Sequence, residues 1–357
     1  MTPSDAKPAR RASWLDPILN NRRLLPILLV VGLVLSFATP AFGLVDPYVQ
    51  LILIYIGINI MLTASLNLVN GYMGEFSVGH AGFMAVGAYV ASIMTVKVFP
   101  AAWQDWTFPL ALVAGGLIAA LAGLVVALPS FRTRGDYLAI VTLAFLMIVK
   151  SVIENIEAIG GPRGFLGMAK LTSLPWTYVW VVITIWCLRN FVYSHLGRGV
   201  IAIREDEVAS DLMGVDTRRV KLLTFVISAF FTGVAGGLYA HVILFINPRS
   251  FDIIKSTDIL IMVYLGGIGS LAGSVLGATI VTVLLELLRP LAVWRMVLMP
   301  LALVLMMLYR PRGIMGLREF AWFVPKRDLF AARDWRRARS RDAAAVDQAI
   351  KEASDVA

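Results

Sequence analysis

Ionisable side chains inside apolar runs deserve the first look. A charge at the middle of a membrane helix costs about 2.5–3.5 kcal/mol on insertion scales, so it is kept for pairing or for function. Glu75 sits in a glycine-rich stretch, and Lys150, Glu154 and Glu157 fall at i, i+4 and i+7 on one helical face. That face reads either as an ion pair at the interface or as the lining of an outer vestibule. Glu286 has a local partner in Arg289, three residues on. His80, His195 and His241 lack ligand-like spacing, so no metal site is read here. Cys187 is the only cysteine, which excludes an intrachain disulfide and a thiolate cluster. No Gly-x-x-x-x-Gly-Lys-Ser/Thr occurs, so the chain holds no ATP through a P-loop. No nucleophile or acid–base constellation stands out either, and no residue is assigned a catalytic role.

The elements that must position these groups follow from composition. The chain has 357 residues, 59% of them hydrophobic and only 15% charged. Long apolar runs recur at 24–43, 48–69, 78–97, 108–129, 137–157, 175–194, 222–246, 257–269, 271–288 and 291–309. Many approach the roughly 20 residues a helix needs to cross hydrocarbon. The fold class is therefore all-α, a polytopic helical membrane protein with about eight to ten transmembrane segments, some of them broken or short. The net charge of +9 lies mostly in the tails and a few short loops, which points to retention of Lys and Arg on the cytoplasmic side and not to nucleic acid. Arg22 and Arg23 with the leader, Arg132 and Arg134, the 195–221 loop, and the tail after Arg310 all belong inside, so both termini are cytoplasmic. Three parts result: a leader over 1–23, a transmembrane domain over 24–316 with its loop at 195–221, and a tail over 317–357.

Two stretches break the helical pattern. The first runs from Asn67 through Glu75, Ser77, Gly79 and His80 to Tyr89, with glycines at 71, 74, 79, 82 and 87. Glycine permits positive φ and close backbone approach. Ser77 is placed to cap the helix that follows, leaving a half-helix N-terminus as a station for a carboxylate. Tight packing through small residues explains the same glycines without any ligand. The second stretch, 266–277, contains Gly267 and Gly269 and loosely shares a Ser-x-x-Gly-x-x-x-Gly-Ala pattern with the first, as two structural repeats would. Between 195 and 221, Arg204, Glu205, Asp206, Glu207 and Asp211 are strongly polar, while Ile203, Val208 and Leu212 recur at roughly helical spacing. One amphipathic helix on the cytoplasmic side is expected there.

The run Gly74-Glu-Phe-Ser-Val-Gly-His-Ala-Gly-Phe83 resembles the signature of LivM-type permeases of branched-chain amino acid ABC transporters. The resemblance continues, in family order, through Thr133-Arg-Gly-Asp-Tyr-Leu-Ala-Ile-Val-Thr-Leu-Ala-Phe145, Gly160-Gly-Pro-Arg-Gly164, the stretch from Gly197 to Gly214, Gly266-Gly-Ile-Gly-Ser-Leu-Ala-Gly273 and Tyr309-Arg-Pro-Arg-Gly313. The family usually has Gln at the position of Glu75, a Gly-Glu pair at Leu146 and Met147, and often Thr at Ile159. The resemblance implies an importer subunit in the bacterial inner membrane, working by alternating access with a homologous second permease, two ABC ATPase subunits and a periplasmic binding protein. ATP and magnesium are bound by those ATPases, and this chain itself carries no cofactor. The 195–221 helix then corresponds to the coupling helix that enters a cleft of the ATPase, with Arg204, Glu205, Asp206, Glu207, Ala209 and Gly214 as coupling residues. Asn67, Glu75, Ser77, Gly79, His80, Gly267 and Gly269 are candidates for the substrate path. The implied cargo is a branched-chain or other hydrophobic amino acid, with urea, short amides or aromatic acids as the alternative. An ion-coupled carrier using Glu75, Glu154 or Glu286 as a relay, and a membrane-embedded enzyme, are the competing classes.

Overall fold

The computed structural model describes residues 31–39, 45–100, 103–131, 137–309, 313–316 and 319. The leader, Arg132 and Arg134, Arg310 and Arg312, and the tail apart from Glu319 lie outside the described residues. The described residues fall within one compact unit, Ile27–Glu319.

Helix α1, Pro47–Asn67, opens with Asp46 accepting from the Tyr48 N–H and with proline in its first turn, where the missing N–H costs nothing. It runs on into a π-helical turn, Leu68–Met73. Beyond the first break come α2, His80–Ile93, α3, Gln104–Ser130, and α4, Tyr137–Asn155. Helix α5, Leu174–Val192, meets α6, His195–Glu205, at a bend of 70°. A six-residue helix α7, Glu207–Leu212, precedes the long α8, Thr217–Ile243. The second break lies between α9, Ile253–Gly266, and α10, Leu271–Leu287, and α11 spans Ala292–Tyr309. Residues 31–39 are also helical. A two-residue antiparallel pair, β1 Phe165–Leu166 with β2 Phe245–Ile246, closes the end of the bundle remote from α6 and α7.

Five helices among the described residues are long and apolar enough to cross a membrane, or six if the bent pair α5–α6 counts as one span. The runs expected at 257–269 and 271–288 form helices of 14 and 17 residues, each short of a full crossing alone. They meet at glycines, where irregular backbone must be covered by protein. Helix α8 is the most enclosed candidate span, with 67% of its apolar window buried, and α4 the least, with 22%.

The centre is built by close backbone approach. Lipid tails are as apolar as leucine, so helices in a membrane associate through packing that small residues make possible. A Cβ on Gly87 of α2 would land on the backbone of Gly233 in α8. A Cβ on Gly236 would meet the Met84 carbonyl, and one on Gly115 of α3 would meet the Gly87 carbonyl. Helices α2, α3 and α8 are thus knit at three glycine contacts, two between α2 and α8 and one between α2 and α3. Around them pack the wholly buried rings of Phe83, Phe108 and Phe225. Phe83 stacks on Phe145 with centroids 4.6 Å apart and meets Phe225 edge-on at 5.5 Å.

Candidate functional site

At the first break, Gly74 takes φ 78°, the left-handed conformation that ends the π-helical turn. The chain then runs irregularly to Gly79, and α2 starts at His80. Ser77 does not cap this helix. The N-cap position is Gly79 and no side chain of the break bonds to it, because Ser77 lies three residues ahead of the first turn. The amides left without a helical partner find hydroxyls on distant helices instead: the Val78 N–H donates to Thr142 Oγ1 at 3.2 Å and the Ala81 N–H to Ser256 Oγ at 3.2 Å. Neither hydroxyl was singled out from sequence, although a Thr and a Ser inside apolar runs are the available signal. Gly79 itself lies on the Thr142 backbone, where a Cβ would clash.

Asn67 ties this break to the second one. Its Nδ2 donates toward Ser270 O and Ser274 Oγ, both at 2.8 Å, and toward Gly267 O at 3.2 Å, while its Oδ1 accepts from the Gly269 N–H at 2.9 Å. The amide is wholly buried and has used both its donor and its acceptor side. Gly267 and Gly269 hold positive φ, 139° and 73°, which turns their backbone toward Asn67. The second break is capped locally, with Ser270 Oγ accepting from the Gly273 N–H at 2.9 Å. Here the two breaks differ. Glu319 also reaches α10, accepting from the Leu271 and Ala272 N–H groups and from the Tyr72 hydroxyl at 2.7 Å. Burial holds the Glu319 carboxyl above the usual carboxylate range despite these donors.

The segment after α5 is two helices, not the single one expected from spacing. Asp206 adopts φ −160° and ψ 112°, so α6 stops at Glu205, and its Oδ1 then caps α7 through the Ala209 N–H at 3.0 Å. A side chain that competes for backbone N–H groups favours a cap over a helix interior. The kink separates the apolar residues: Ile203 is buried against the bundle, whereas Val208, Leu212 and Met213 are exposed, the last two more than 80%. Gly214, at φ 83°, has open space around it.

Two cations join this segment to the first break. Arg204 donates to the Gly71 carbonyl at 3.1 Å, lays its stem along Gly74, and pairs with Glu205 at 2.6 Å. Lys221, at the start of α8, pairs with Glu75 at 2.7 Å and with Glu207 at 2.9 Å. Its ammonium also lies 5.9 Å from the Phe131 ring centroid. Glu75 is therefore matched by a cation 146 positions away.

His80 is buried, with Nε2 3.0 Å from Ser228 Oγ. Ser228 gives its single proton to the Ser65 carbonyl at 2.6 Å, so His80 Nε2 must donate and Nδ1 is left an acceptor. His80 Nδ1, Ser77 Oγ and Asn70 Nδ2 are buried with no partner among the described residues. Asn70, whose Oδ1 accepts from the Ser77 N–H at 3.2 Å, was not foreseen from sequence. Elsewhere, Lys150 pairs with Asp252 at 3.4 Å across two helices and not within α4, and Glu286 pairs with Arg289 at 3.1 Å beside Tyr48. His241 bridges Thr95 Oγ1 and the Gly237 carbonyl, and His195 opens α6. Among the described residues, no group of three His, Cys, Asp or Glu side chains is placed to hold a metal ion.

The family described as branched-chain amino acid transport system, permease component, matches residues 48–309. The chain belongs to this family. The permease is 34% identical over 327 residues to the high-affinity branched-chain amino acid transport system permease protein LivM of Escherichia coli, covering 81% of this chain and 74% of that one. It is 26% identical to LivH of the same organism, over 72% and 91% of the two chains. The ribose import permease protein RbsC of Haemophilus influenzae is 23% identical over 74% and 83%. No solved structure matches the permease. It is an integral membrane protein of the ABC permease type, and the matched span takes in both breaks and the α6–α7 segment.

Proposed function

We propose that this permease imports branched-chain or other hydrophobic amino acids across the bacterial inner membrane, driven by two ABC ATPase subunits that bind ATP and magnesium. A homologous second permease completes the membrane part, and a periplasmic binding protein delivers the cargo. Both termini and the α6–α7 segment face the cytoplasm. The observation that carries this reading is the double connection from α6–α7 to the first break, through Arg204 to Gly71 and through Glu207 and Lys221 to Glu75. An ATPase that grips the exposed Val208, Leu212 and Met213 would move α7, and the break would follow because its carbonyl and its carboxylate are tied to the same segment.

The substrate path runs past the first break, where Asn70 Nδ2 offers a donor, His80 Nδ1 an acceptor and Ser77 Oγ both. Buried polar groups left unmatched cost about 1–3 kcal/mol each, so three within eleven residues favour a site that a polar guest completes. A zwitterion supplies an ammonium for His80 and a carboxylate for Asn70. Asn67, Gly79, Gly267 and Gly269 shape the backbone around them. An ion-coupled carrier finds less support, because Glu75 and Glu286 are each paired with a cation instead of standing free to relay a proton.

The deciding test is uptake of radiolabelled leucine into proteoliposomes holding this chain, its partner permease and the two ATPases. Uptake that requires both luminal ATP and external binding protein supports the importer. Uptake without ATP overturns it in favour of an ion-coupled carrier. Binding-protein-stimulated ATP hydrolysis without leucine uptake keeps the machine and moves the cargo to another class.

A further inference from the structure

A second set of polar groups lies at the far end of the bundle, where α8 finishes at Ile243 and α1 begins at Pro47. There the first turns of α1, the loop before α5 and Val242 enclose a cavity of about 230 Å³. It falls below the roughly 300–1,000 Å³ of pockets that take drug-sized molecules, and so suits something the size of a single amino acid. One side of the cavity is polar. Lys170 is exposed and makes no ion pair among the described residues. Gln50 gives its Nε2 to the Val45 carbonyl at 2.9 Å, which leaves Oε1 as an acceptor. Ser173 stands at the N-cap position of α5 without using its hydroxyl as a cap. The other walls come from Leu51, Ile54 and Leu174, and among the described residues no carboxylate lines the cavity.

We infer that this cavity is a receiving site for a free α-amino acid with an aliphatic side chain, its carboxylate held by Lys170. The Gln50 Oε1 then accepts from the α-ammonium, Ser173 offers its hydroxyl to either end, and the side chain lies against Leu51 and Ile54. A cation with no fixed counter-charge favours an anionic group, and the apolar wall beside it selects against a hydrated inorganic ion. The site is separate from the first break, which lies at the α6–α7 end of the same helices. The inference rests on the amino-acid importer reading for its choice of cargo, and under the orientation proposed above the cavity opens toward the side where the binding protein docks.

The assembled transporter in nanodiscs, without binding protein, is titrated with leucine, with leucinamide and with inorganic phosphate, and bound ligand is read by saturation-transfer NMR. Leucine is expected to bind and leucinamide, which lacks the carboxylate, to bind about tenfold more weakly, the usual worth of one charge-assisted hydrogen bond. Lys170→Met should weaken leucine by a similar factor and Lys170→Arg should restore it. Leu51→Trp, which keeps the cation and fills the cavity, should abolish the signal, so a defect in one variant's folding does not decide the result. Leucine binding that is indifferent to Lys170→Met and to Leu51→Trp overturns the proposal. Phosphate binding in place of leucine overturns it as well, and marks Lys170 as a contact for lipid headgroups. Stimulation of ATP hydrolysis in the unsubstituted assembly by loaded binding protein is measured in parallel. Its failure counts against the importer, whereas its success with no Lys170-dependent leucine signal counts against this cavity alone.

Discussion

Lys221 and Glu75 meet at 2.7 Å across 146 residues of sequence, and the ammonium is nearly closed off from solvent while Glu207 shares it at 2.9 Å. The pair joins the base of α8 to the first break, and the third member joins both to α7. Glu75→Gln should be tolerated, since the amide oxygen still accepts from Lys221 and Glu207 still balances its charge. Leucine uptake should stay on the same order as in the unsubstituted chain. Complete loss at normal expression would contradict this and assign Glu75 a role in recognising a cation.

Removing both carboxylates is a different matter. Stripping the partners from a buried charge costs about 3–5 kcal/mol, and the partial exposure of Glu207 lowers that to about 1–3 kcal/mol here. Glu75→Gln with Glu207→Gln should therefore destabilise the permease more than the sum of the single changes. Thermal unfolding of the four members of the cycle in detergent reads this directly. Additive shifts would mean that the three charges do not act as a unit.

Asn67→Leu keeps the volume and deletes every bond of the strap between the breaks. It strands the Gly269 N–H and the Gly267 carbonyl in a buried place, at about 1–3 kcal/mol for each group left unmatched, while the Ser270 carbonyl keeps the Ser274 N–H. The variant should fold poorly or lose transport outright. Asn67→Asp should be intermediate, because it can still accept from Gly269 and can no longer donate. Equal thermal stability of all three chains would remove the strap from consideration.

Leu212→Glu with Met213→Glu addresses the exposed tip after the Asp206 kink. Both side chains are open to solvent, and surface changes of this kind usually stay within about 0.5 kcal/mol. Unfolding temperature should hold while co-purification of the ATPase subunits fails. Retained co-purification would place the docking contact elsewhere.

Glu319 gives a pH dependence with a defined sign. Burial raises its carboxyl above the usual range in the folded chain, so the folded state holds the proton more tightly than the unfolded one. Its contribution to stability is full below the ordinary glutamate range and is lost as pH rises through the raised folded value. Glu319→Gln, which stays neutral, should flatten the decline of unfolding temperature between mildly acidic and neutral conditions. A decline of the same steepness in both chains would reject this assignment.

Much of this arrangement was legible in the sequence, and the parts that were not share a cause. Both breaks were visible as clusters of glycine inside apolar runs, and the Glu286–Arg289 pair as a three-residue spacing. The contacts that give the breaks their shape were not. Thr142 and Ser256 cap α2 from 64 and 175 positions away, and Lys150 finds Asp252 at a distance of 102. Helical spacing cannot report partners of that kind. The kink at Asp206 failed for a related reason: Ile203, Val208 and Leu212 fit one helix by period, and only the packing of Ile203 against the bundle reveals that the other two turn away. Helices α9 and α10 fall where the two short pieces at 257–269 and 271–288 are read, each too short to cross alone.

The three glycine contacts among α2, α3 and α8 restrict where a hole can open. Backbones in contact leave no gap for a solute, and none can be made without shearing Gly87 off Gly233 or Gly236 off Met84. A trio packed this closely is expected to hold together during transport, which leaves its margins and not its centre for a conduit. On that packing, gating would tilt a wall and not part it.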